Sequence, residues 1–392
     1  MSVKNRTSLA TRVIHSGHEP DPATGAVVPP LYTATTYVQD GIGKNRGYDY
    51  SRSGNPTRQR VEACLADLEN AQAAFVFPSG LSAASTMLAT LKPGAKIVAH
   101  EDLYGGVYRL LAQVGPAMSG CKVDLVDFCD IDALTTAAKG ADLLWFETPS
   151  NPLLKIVDLT AVAKIAREVD AITVCDSTFA SPCGQLPLDH GIDVVMHSAT
   201  KFLGGHSDLL GGVLSVSENA KDGLADRIGY LQNALGAVMC PSDCALLLRS
   251  LRTLALRVER QTTSAAFLAE KLTANAADLG IAEVIYPGLA THPGHTIATR
   301  QMSNFGALIS LRLMGGLDRV ERVLTATHLF HFAVSLGSVE SLIQHPASLT
   351  HAAVAEEHRE KISIGNDLIR LSVGCEDTAD LAADLEAAFS QR

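Results

Sequence analysis

Short runs of apolar residues alternate with longer segments of helical periodicity along the central part of the chain. The apolar runs lie at residues 73–77, 96–100, 122–126, 143–146, 172–176, 192–196 and 213–216. Segments with helical spacing lie between them, at residues 57–70, 81–91, 131–139 and 159–169. Because this alternation is typical of a parallel sheet covered on both faces, we predict an α/β fold with a mostly parallel sheet and helices on both sides.

The flanking parts of the chain carry different patterns. Residues 1–48 are rich in Pro, Gly and Thr and hold few periodic apolar positions, which predicts an extended arm. An arm without a core of its own is expected to wrap a second copy of the chain. Two helices are predicted at residues 220–232 and 243–272. Beyond them the pattern changes to strand, helix, strand, with segments at residues 283–286, 307–312, 317–326 and 368–373.

Composition and charge narrow the class of protein. A length of 392 residues predicts two or three domains, and a hydrophobic content of 47% suffices for a sizeable core. The 42 acidic residues outnumber the 32 basic ones, which disfavours nucleic acid as a partner. The sequence contains no apolar run of about 18 residues, so no membrane span is expected.

The eight cysteines are scattered along the chain, which favours free thiols in a reducing compartment. The cytoplasm is therefore the expected location, while Arg6 and Arg12, with no acid before Glu19, would also suit an organelle transit segment. Cys240 and Cys244 lack a second pair of ligands, and the histidine pairs at 292/295 and 328/331 lack an acidic partner motif. No metal site is expected from these patterns.

Candidate chemistry concentrates at the end of the apolar run 192–196. Ser198 and Thr200 alternate there, so both hydroxyl groups can point the same way from an extended backbone, which suits a phosphate. Lys201 follows in a mostly uncharged stretch, where an amine could form a Schiff base. Alone, this pattern is more often a surface turn. Asp176 changes that interpretation because it ends the preceding run, and pyridoxal 5′-phosphate (PLP) needs both an amine for its aldehyde and an acid for its ring nitrogen.

Two further positions suit anions. Pro78-Ser79-Gly80 ends the run 73–77 and opens into the helical segment 81–91, which leaves free backbone N–H groups at the positive end of a helix dipole. Arg370 interrupts the apolar run 368–373, so a charge enters an otherwise half-buried strand. Either a structural ion pair or the carboxylate of an amino-acid substrate would satisfy that guanidinium group.

These stretches resemble the Cys/Met-metabolism family of PLP-dependent enzymes, which includes cystathionine γ-lyases, cystathionine γ-synthases and methionine γ-lyases. The resemblance rests on Ser198 to Lys201 with Asp176, and on the segments 50–57, 147–152, 335–337 and 340–342. It extends from about Thr11 to about Ala388. It implies the PLP-dependent transferase fold of type I, with an N-terminal arm at residues 1–48, a large PLP-binding domain at residues 49–252 and a smaller α/β C-terminal domain at residues 253–392.

The resemblance also implies which residues hold the cofactor. Tyr50 and Arg52 would reach across a subunit interface to the phosphate of a neighbouring PLP, because a planar guanidinium group matches phosphate oxygens. Tyr104 would stack on the PLP ring and take part in proton transfer, beside Lys201 as the catalytic lysine. The full set assigned to PLP is Tyr50, Arg52, Gly80, Leu81, Tyr104, Asp176, Ser198, Thr200 and Lys201.

Five residues are assigned to the substrate side of the site by the same resemblance. Arg370 would grip the α-carboxylate with two hydrogen bonds, Ser335 would lie near the same groups, and Asn151 would approach the ring oxygen of PLP. Asp49 stands where cystathionine-handling relatives often carry an acid for the distal ammonium group. Val334 instead replaces their usual Glu and is similar to the residue in methionine γ-lyases, although Gly106 departs from the Cys typical of that group.

We therefore predict a cystathionine γ-lyase-type enzyme, which would convert the amino acid cystathionine to cysteine, 2-oxobutanoate and ammonia. Cystathionine γ-synthase, acting on O-acylhomoserine, and methionine γ-lyase are the alternatives within the family. A non-catalytic PLP-binding regulatory protein is the alternative from another class, and it would be marked by loss of Lys201, Asp176 or Arg370, all of which are present. The resemblance further implies a homotetramer, a dimer of dimers, with active sites shared between subunits.

Overall fold

Two β-sheets organise the chain, and a computed structural model describes residues 7–352 and 354–390. In this part of the chain the larger sheet is formed by β1 (Ala73–Phe77), β2 (Lys96–His100), β3 (Lys122–Val126), β4 (Leu143–Glu147), β5 (Ile172–Asp176), β6 (Val194–Ser198) and β7 (Gly212–Val216). Their spatial order is β1-β7-β6-β5-β4-β2-β3. β7 runs antiparallel to both of its neighbours, and the other neighbouring pairs are parallel. The predicted mostly parallel sheet is therefore confirmed.

Helices cover both faces of this sheet. Neighbouring residues along a strand therefore belong to two separate apolar clusters, one on each face. Ile97 and Trp145 belong to one cluster, while their neighbours Val98 and Leu144 belong to the other. The helices of this part are α1 (Leu9–His15), α2 (Pro56–Leu68), α3 (Gly80–Leu88), α4 (Gly105–Arg109), α5 (Gly115–Ser119), α6 (Ile131–Ala137), α7 (Leu159–Val169), α8 (Ser181–Gly184), α9 (Leu224–Ala234) and α10 (Pro241–Leu251). A π-helical turn, Leu110–Val114, joins α4 to α5, and a 3₁₀ turn covers Pro187–His190.

The smaller sheet follows in the chain and is largely antiparallel. Its strands are β8 (Ile281–Ile285), β9 (Leu308–Leu313), β10 (His331–Phe332), β11 (Leu342–Gln344) and β12 (Leu368–Ser372), in the spatial order β10-β11-β12-β9-β8. The accompanying helices are α11 (Leu254–Ala274), α12 (His295–Gln301), α13 (Gly316–Ala326), α14 (Glu356–Lys361) and α15 (Thr378–Ser390). None of the helices in the described residues is long and apolar enough to cross a membrane.

The prediction of a fully extended arm is wrong at its start. Leu9–His15 forms α1, and its Val13 is buried in the same apolar cluster as residues of α2 and α11. Leu9 and Val13 are spaced four residues apart, which suffices for one apolar stripe on a short helix but is too brief a pattern to stand out in the sequence. Residues 16–55 contain turns and isolated β-bridges. The assignment of residues 1–48 to an arm stays a prediction, and its residues 1–6 lie outside the described part of the chain.

The single helix predicted at residues 243–272 is also wrong, because the chain breaks at Arg252 and Thr253 to give α10 and α11. The carbonyl group of Ser250 accepts the backbone N–H of Thr253 at 3.2 Å in place of a regular helical bond, and it also accepts the Thr253 hydroxyl group at 3.2 Å and Arg257 Nη2 at 3.0 Å. These side-chain donors replace the lost helical bonds, a tertiary effect that periodicity cannot reveal. The domain division proposed at residue 253 falls at this break and stays a prediction.

Candidate active site

A cavity of about 380 Å³ lies at the carboxyl ends of β4, β5 and β6, where open α/β sheets usually bind ligands. Most of the residues predicted for the site line it. They are Gly80, Leu81, Tyr104, Asn151, Asp176, Ser198, Thr200, Lys201, Val334, Ser335 and Arg370. The fold therefore brings together, in one cavity, residues spread over most of the sequence.

Lys201 lies just after β6 and points its amine into the cavity. Its Nζ donates a hydrogen bond to Ser335 Oγ at 2.8 Å. Burial, followed by the positive charge of Arg370, lowers the pKa of Lys201 to about 8. The amine therefore loses its proton more readily near neutral pH than an ordinary lysine does, which favours its action as a nucleophile or a general base.

Asp176 ends β5 and presents its carboxyl group to the same cavity. Its Oδ1 accepts hydrogen bonds from the backbone N–H of Thr178 at 3.0 Å and from the Thr178 hydroxyl group at 2.5 Å. Burial raises the pKa of Asp176, and these two hydrogen bonds oppose the rise. Thr178 also accepts the backbone N–H of Ser198 at 2.8 Å, so it ties together the ends of β5 and β6.

The first turn of α3 lies against the end of β6 and presents free backbone N–H groups there. Ser79 caps the helix by accepting the backbone N–H of Ser82 at 3.1 Å, and the remaining N–H groups of this turn have no acceptor within the helix. A Cβ atom on Gly80 would lie 3.2 Å from Ser198 Cβ. Because glycine has no such atom, the N-terminus of α3 approaches the Ser198 hydroxyl group closely.

Arg370 lies on β12 and is 1% exposed. Its Nη1 donates to Asn151 Oδ1 at 2.6 Å and its Nη2 to the Ser335 carbonyl oxygen at 2.8 Å, while the guanidinium group lies 5.6 Å from the centre of the Phe179 ring. The amide oxygen of Gln344 accepts from the same group at 2.9 Å when the amide is turned to face it. No described carboxylate lies within 4.0 Å, so the structural ion pair considered from the sequence is not formed.

Tyr104 precedes α4, and its ring lines the cavity. Its backbone N–H donates to Glu147 Oε1 at 2.7 Å. A Cβ atom on Gly106 would lie 2.5 Å from Tyr104 Cε1. The absence of a side chain at Gly106, noted in the sequence as a departure from methionine γ-lyases, therefore leaves room for this ring.

Asp49, Tyr50 and Arg52 do not line the cavity of their own chain. Tyr50 is 46% exposed, and Arg52 Nη1 donates to the backbone and side-chain oxygens of Asn233 at 2.9 and 2.7 Å. Their assignment to the site of a neighbouring subunit stays a prediction.

Four residues around the cavity were not singled out from the sequence: Glu147, Thr178, Phe179 and Gln344. Thr178 follows Asp176 by two residues, a spacing at which hydroxyl groups commonly bond a preceding carboxylate, so the sequence held a signal for it. Phe179 and Gln344 meet Arg370 from distant parts of the chain, and no local pattern marks them.

A separate cluster of possible metal ligands, formed by His100, Asp127 and Cys129, lies outside this cavity. His100 Nδ1 accepts the backbone N–H of Phe128 at 3.1 Å, and Asp127 Oδ2 pairs with Lys155 Nζ at 2.7 Å. His100 Nδ1 and Asp127 Oδ2 are thus engaged within the chain, and we assign no metal to this cluster.

The fold and the cavity define a PLP-dependent enzyme of fold type I. The family model described as Cys/Met metabolism PLP-dependent enzyme matches residues 10–390. The chain is 48% identical over 385 residues to the cystathionine beta-lyase of Coxiella burnetii, covering 98% of each chain. It is 45% identical over 383 residues to the cystathionine gamma-synthase of Mycobacterium bovis, covering 97% of this chain and 96% of that one.

A solved structure of another protein with cystathionine in its name is also similar to this chain. The crystal structure of cystathionine gamma-lyase from Lactobacillus plantarum complexed with L-serine matches with a TM-score of 0.93 and 40% identity, over 98% of this chain and 99% of that one. This chain belongs to the Cys/Met metabolism family of PLP-dependent enzymes, as its motifs predicted.

Proposed function

We propose that this chain is a PLP-dependent carbon–sulfur lyase that cleaves cystathionine by γ-elimination to cysteine, 2-oxobutanoate and ammonia. One observation carries the proposal: the amine of Lys201, the carboxyl group of Asp176 and the guanidinium group of Arg370, which has no carboxylate partner among the described residues, share one cavity. Two of the compared proteins are named as lyases of cystathionine and the third as its synthase, which supports cystathionine as an amino acid that this site handles.

The residues of the cavity fit PLP. The first turn of α3, which starts at Gly80, and the hydroxyl groups of Ser198 and Thr200 would hold its phosphate, and Asp176 would face its ring nitrogen. Lys201 would hold its aldehyde, and Tyr104 would cover its ring. When bound, PLP withdraws electrons from the substrate Cα and so makes the proton there removable.

The residues of the chain divide the remaining work between binding and proton transfer. Arg370 binds the substrate α-carboxylate, and two separate loops hold its guanidinium group in place, one through the Asn151 amide oxygen and the other through the Ser335 carbonyl oxygen. Lys201 takes the proton from Cα and releases it again, so that the free amine can then take a proton from Cβ; delivery of that second proton to the departing sulfur releases a thiol. When the Lys201 amine is not transferring a proton, it donates a hydrogen bond to the hydroxyl group of Ser335, which holds it in place.

A second candidate is β-elimination of cystathionine, to homocysteine, pyruvate and ammonia. It is favoured by the 48% identity to a protein named cystathionine beta-lyase. The two reactions differ in the number of protons removed, because β-elimination needs the loss of a Cα proton alone. Two further candidate activities remain. The name of the Mycobacterium bovis relative supports γ-synthase activity, and the apolar Val334 supports methionine cleavage.

Product analysis distinguishes these reactions. The purified PLP-loaded protein is incubated with L-cystathionine, and the 2-oxo acid and thiol are identified by mass spectrometry. We expect the unchanged protein to form 2-oxobutanoate and cysteine, and we expect the Lys201→Ala variant to form neither product. Pyruvate with homocysteine would contradict γ-elimination. So would a kcat/KM for cystathionine formation from O-acylhomoserine and cysteine, or for methionine cleavage, that exceeds the kcat/KM for γ-elimination of cystathionine.

We also propose a homotetramer, a dimer of dimers, located in the cytoplasm, in which Tyr50 and Arg52 complete the site of a neighbouring subunit. Support comes from their position outside the cavity of their own chain. The preceding arm also exposes apolar side chains, with Val27, Val28 and Val38 at 69%, 66% and 81% exposure. Apolar residues clustered on an arm are typical of a segment that packs on another subunit.

A further inference from the structure

Glu147 is a buried carboxyl group that lines the cavity and that none of the roles above uses. It ends β4 and is 4% exposed. Its Oε1 accepts the backbone N–H of Tyr104 at 2.7 Å. Within the described residues, no Lys, Arg or His nitrogen lies within 4.0 Å of its carboxyl oxygens. A carboxylate in such surroundings would lack a counter-ion, and burying an unpaired charge is costly.

A second buried carboxyl group lies beside it. Asp176 on β5 is the direct register partner of Glu147 on β4, so both side chains leave the same face of the sheet. Two neighbouring buried carboxyl groups do not both ionise readily, and one of them retains its proton. Asp176 accepts the hydroxyl group of Thr178 as well as its N–H, whereas Glu147 accepts backbone N–H groups alone, from Tyr104 and Asn151, and also faces the further acid Asp102; Asp176 is therefore the member that ionises.

The charges around Glu147 act in the same direction. Burial and then the negative charge of Asp176 raise the pKa of Glu147 well above its ordinary value, and Asp102, in the segment after β2, adds to the rise. The hydrogen bonds from the backbone N–H groups of Tyr104 and Asn151 oppose the rise in pKa but are outweighed. Asp102 itself accepts the hydroxyl group of Ser150 and is buried, and burial raises its pKa to about 6.

We propose that Glu147 is a positioning residue that works as a neutral carboxylic acid. One of its oxygens fixes the backbone of Tyr104, and so the place of the Tyr104 ring over the cavity. The proton that it retains leaves Asp176 as the negative charge at the ring-nitrogen position. The inference goes beyond the proposed function, since it does not depend on which sulfur amino acid the enzyme cleaves.

Two substitutions separate a neutral acceptor from a carboxylate. Glu147→Gln keeps a carbonyl oxygen for Tyr104 without a charge, and Glu147→Ala removes the acceptor. For the sulfur amino acid that is turned over best, we expect kcat/KM of E147Q to stay within about threefold of the unchanged protein. E147A should lose about 10- to 100-fold, because the ring it positions is misplaced. Circular dichroism of both variants verifies folding.

A measurement on the protein without PLP tests the proton itself. If Glu147 keeps a proton that the unfolded chain releases above about pH 4.5, its contribution to stability falls as pH rises. The Tm of PLP-free E147Q minus the Tm of the PLP-free unchanged protein should therefore increase as the pH is raised from about 5 to about 8. A Tm difference that does not grow with pH would overturn the proposal, and so would an E147Q variant as impaired as E147A. Neither result depends on whether cystathionine is the substrate.

Discussion

Arg370 is a buried cation whose hydrogen-bond partners in the described part of the chain are neutral oxygen atoms. Burial lowers the pKa of its guanidinium group to about 9, which reflects the cost of holding this charge without a counter-ion. An incoming carboxylate would remove that cost by accepting two parallel hydrogen bonds. Under the proposed function the residue would therefore supply both affinity for an α-amino acid and the orientation of its Cα toward Lys201.

The substitution Arg370→Lys should raise KM for the sulfur amino acid about 100-fold, because lysine replaces a two-pronged contact with a single point charge. The PLP absorbance of the protein should change little, since Arg370 lies on the substrate side of the cavity. Steady-state kinetics and a PLP titration give both quantities. Arg300→Lys, an exposed residue paired with Asp158, is the matched control. An unchanged KM in R370K would contradict the carboxylate role.

The sequence gives part of the site and misses the rest for a physical reason. Asp176 and Ser198 could be predicted to lie together because each ends an apolar run, and parallel strands end at the same edge of a sheet. Glu147 ends β4, which lies between β5 and β2 in the sheet, and Tyr104 follows β2. The apolar run in the sequence stops at residue 146, so the predicted strand does not include Glu147. Its role depends on a contact with Tyr104 across the chain, and local patterns carry no record of such a contact.

At the scale of whole elements, the strands of the larger sheet were predicted closely, since buried strands of a parallel sheet are apolar throughout. Their spatial order and the reversed direction of β7 were not predicted, because pairing between distant strands leaves no trace in periodicity. The break between α10 and α11 was missed for the same reason. It is held by Arg257 of α11, which also donates to the carbonyl oxygen of Phe202 at 2.8 Å.

This link between α11 and the loop after Lys201 can be tested by a glycine pair. Gly205 has φ +68°, and a Cβ there would lie 1.9 Å from Arg257 Nη1, whereas Gly94 has φ +74° and open space around it. Gly94→Ala should cost about 1 kcal/mol through backbone strain alone. Gly205→Ala should cost about 2–4 kcal/mol, because it also displaces the guanidinium group.

Urea unfolding of the two variants measures both free energies. Equal losses in G205A and G94A would show that Arg257 does not constrain this loop. A larger loss in G205A should be accompanied by weaker PLP binding, since the displaced loop begins at Lys201.

At the scale of the whole molecule, the proposed sharing of sites between subunits predicts complementation. Arg52→Ala should impair the phosphate site of a neighbour, and Lys201→Ala should inactivate its own site. When the two variants are unfolded and refolded together, half of randomly paired dimers hold one intact site of two. Activity should then recover to roughly a quarter of the unchanged value.

Refolding each variant alone is the control for this experiment, and both should stay weakly active or inactive. If the mixture is no more active than the average of the separate variants, each subunit builds its site without Arg52 of its neighbour.

The most direct test of the account asks which lysine carries the cofactor. The PLP-loaded protein is reduced with borohydride, which fixes the cofactor to its lysine, and is then digested and mapped by mass spectrometry. We predict one phosphopyridoxyl group per chain, on Lys201, and its loss from the map of K201A. A phosphopyridoxyl group on any other lysine, or none at all, would contradict the assignment of this cavity as the active site.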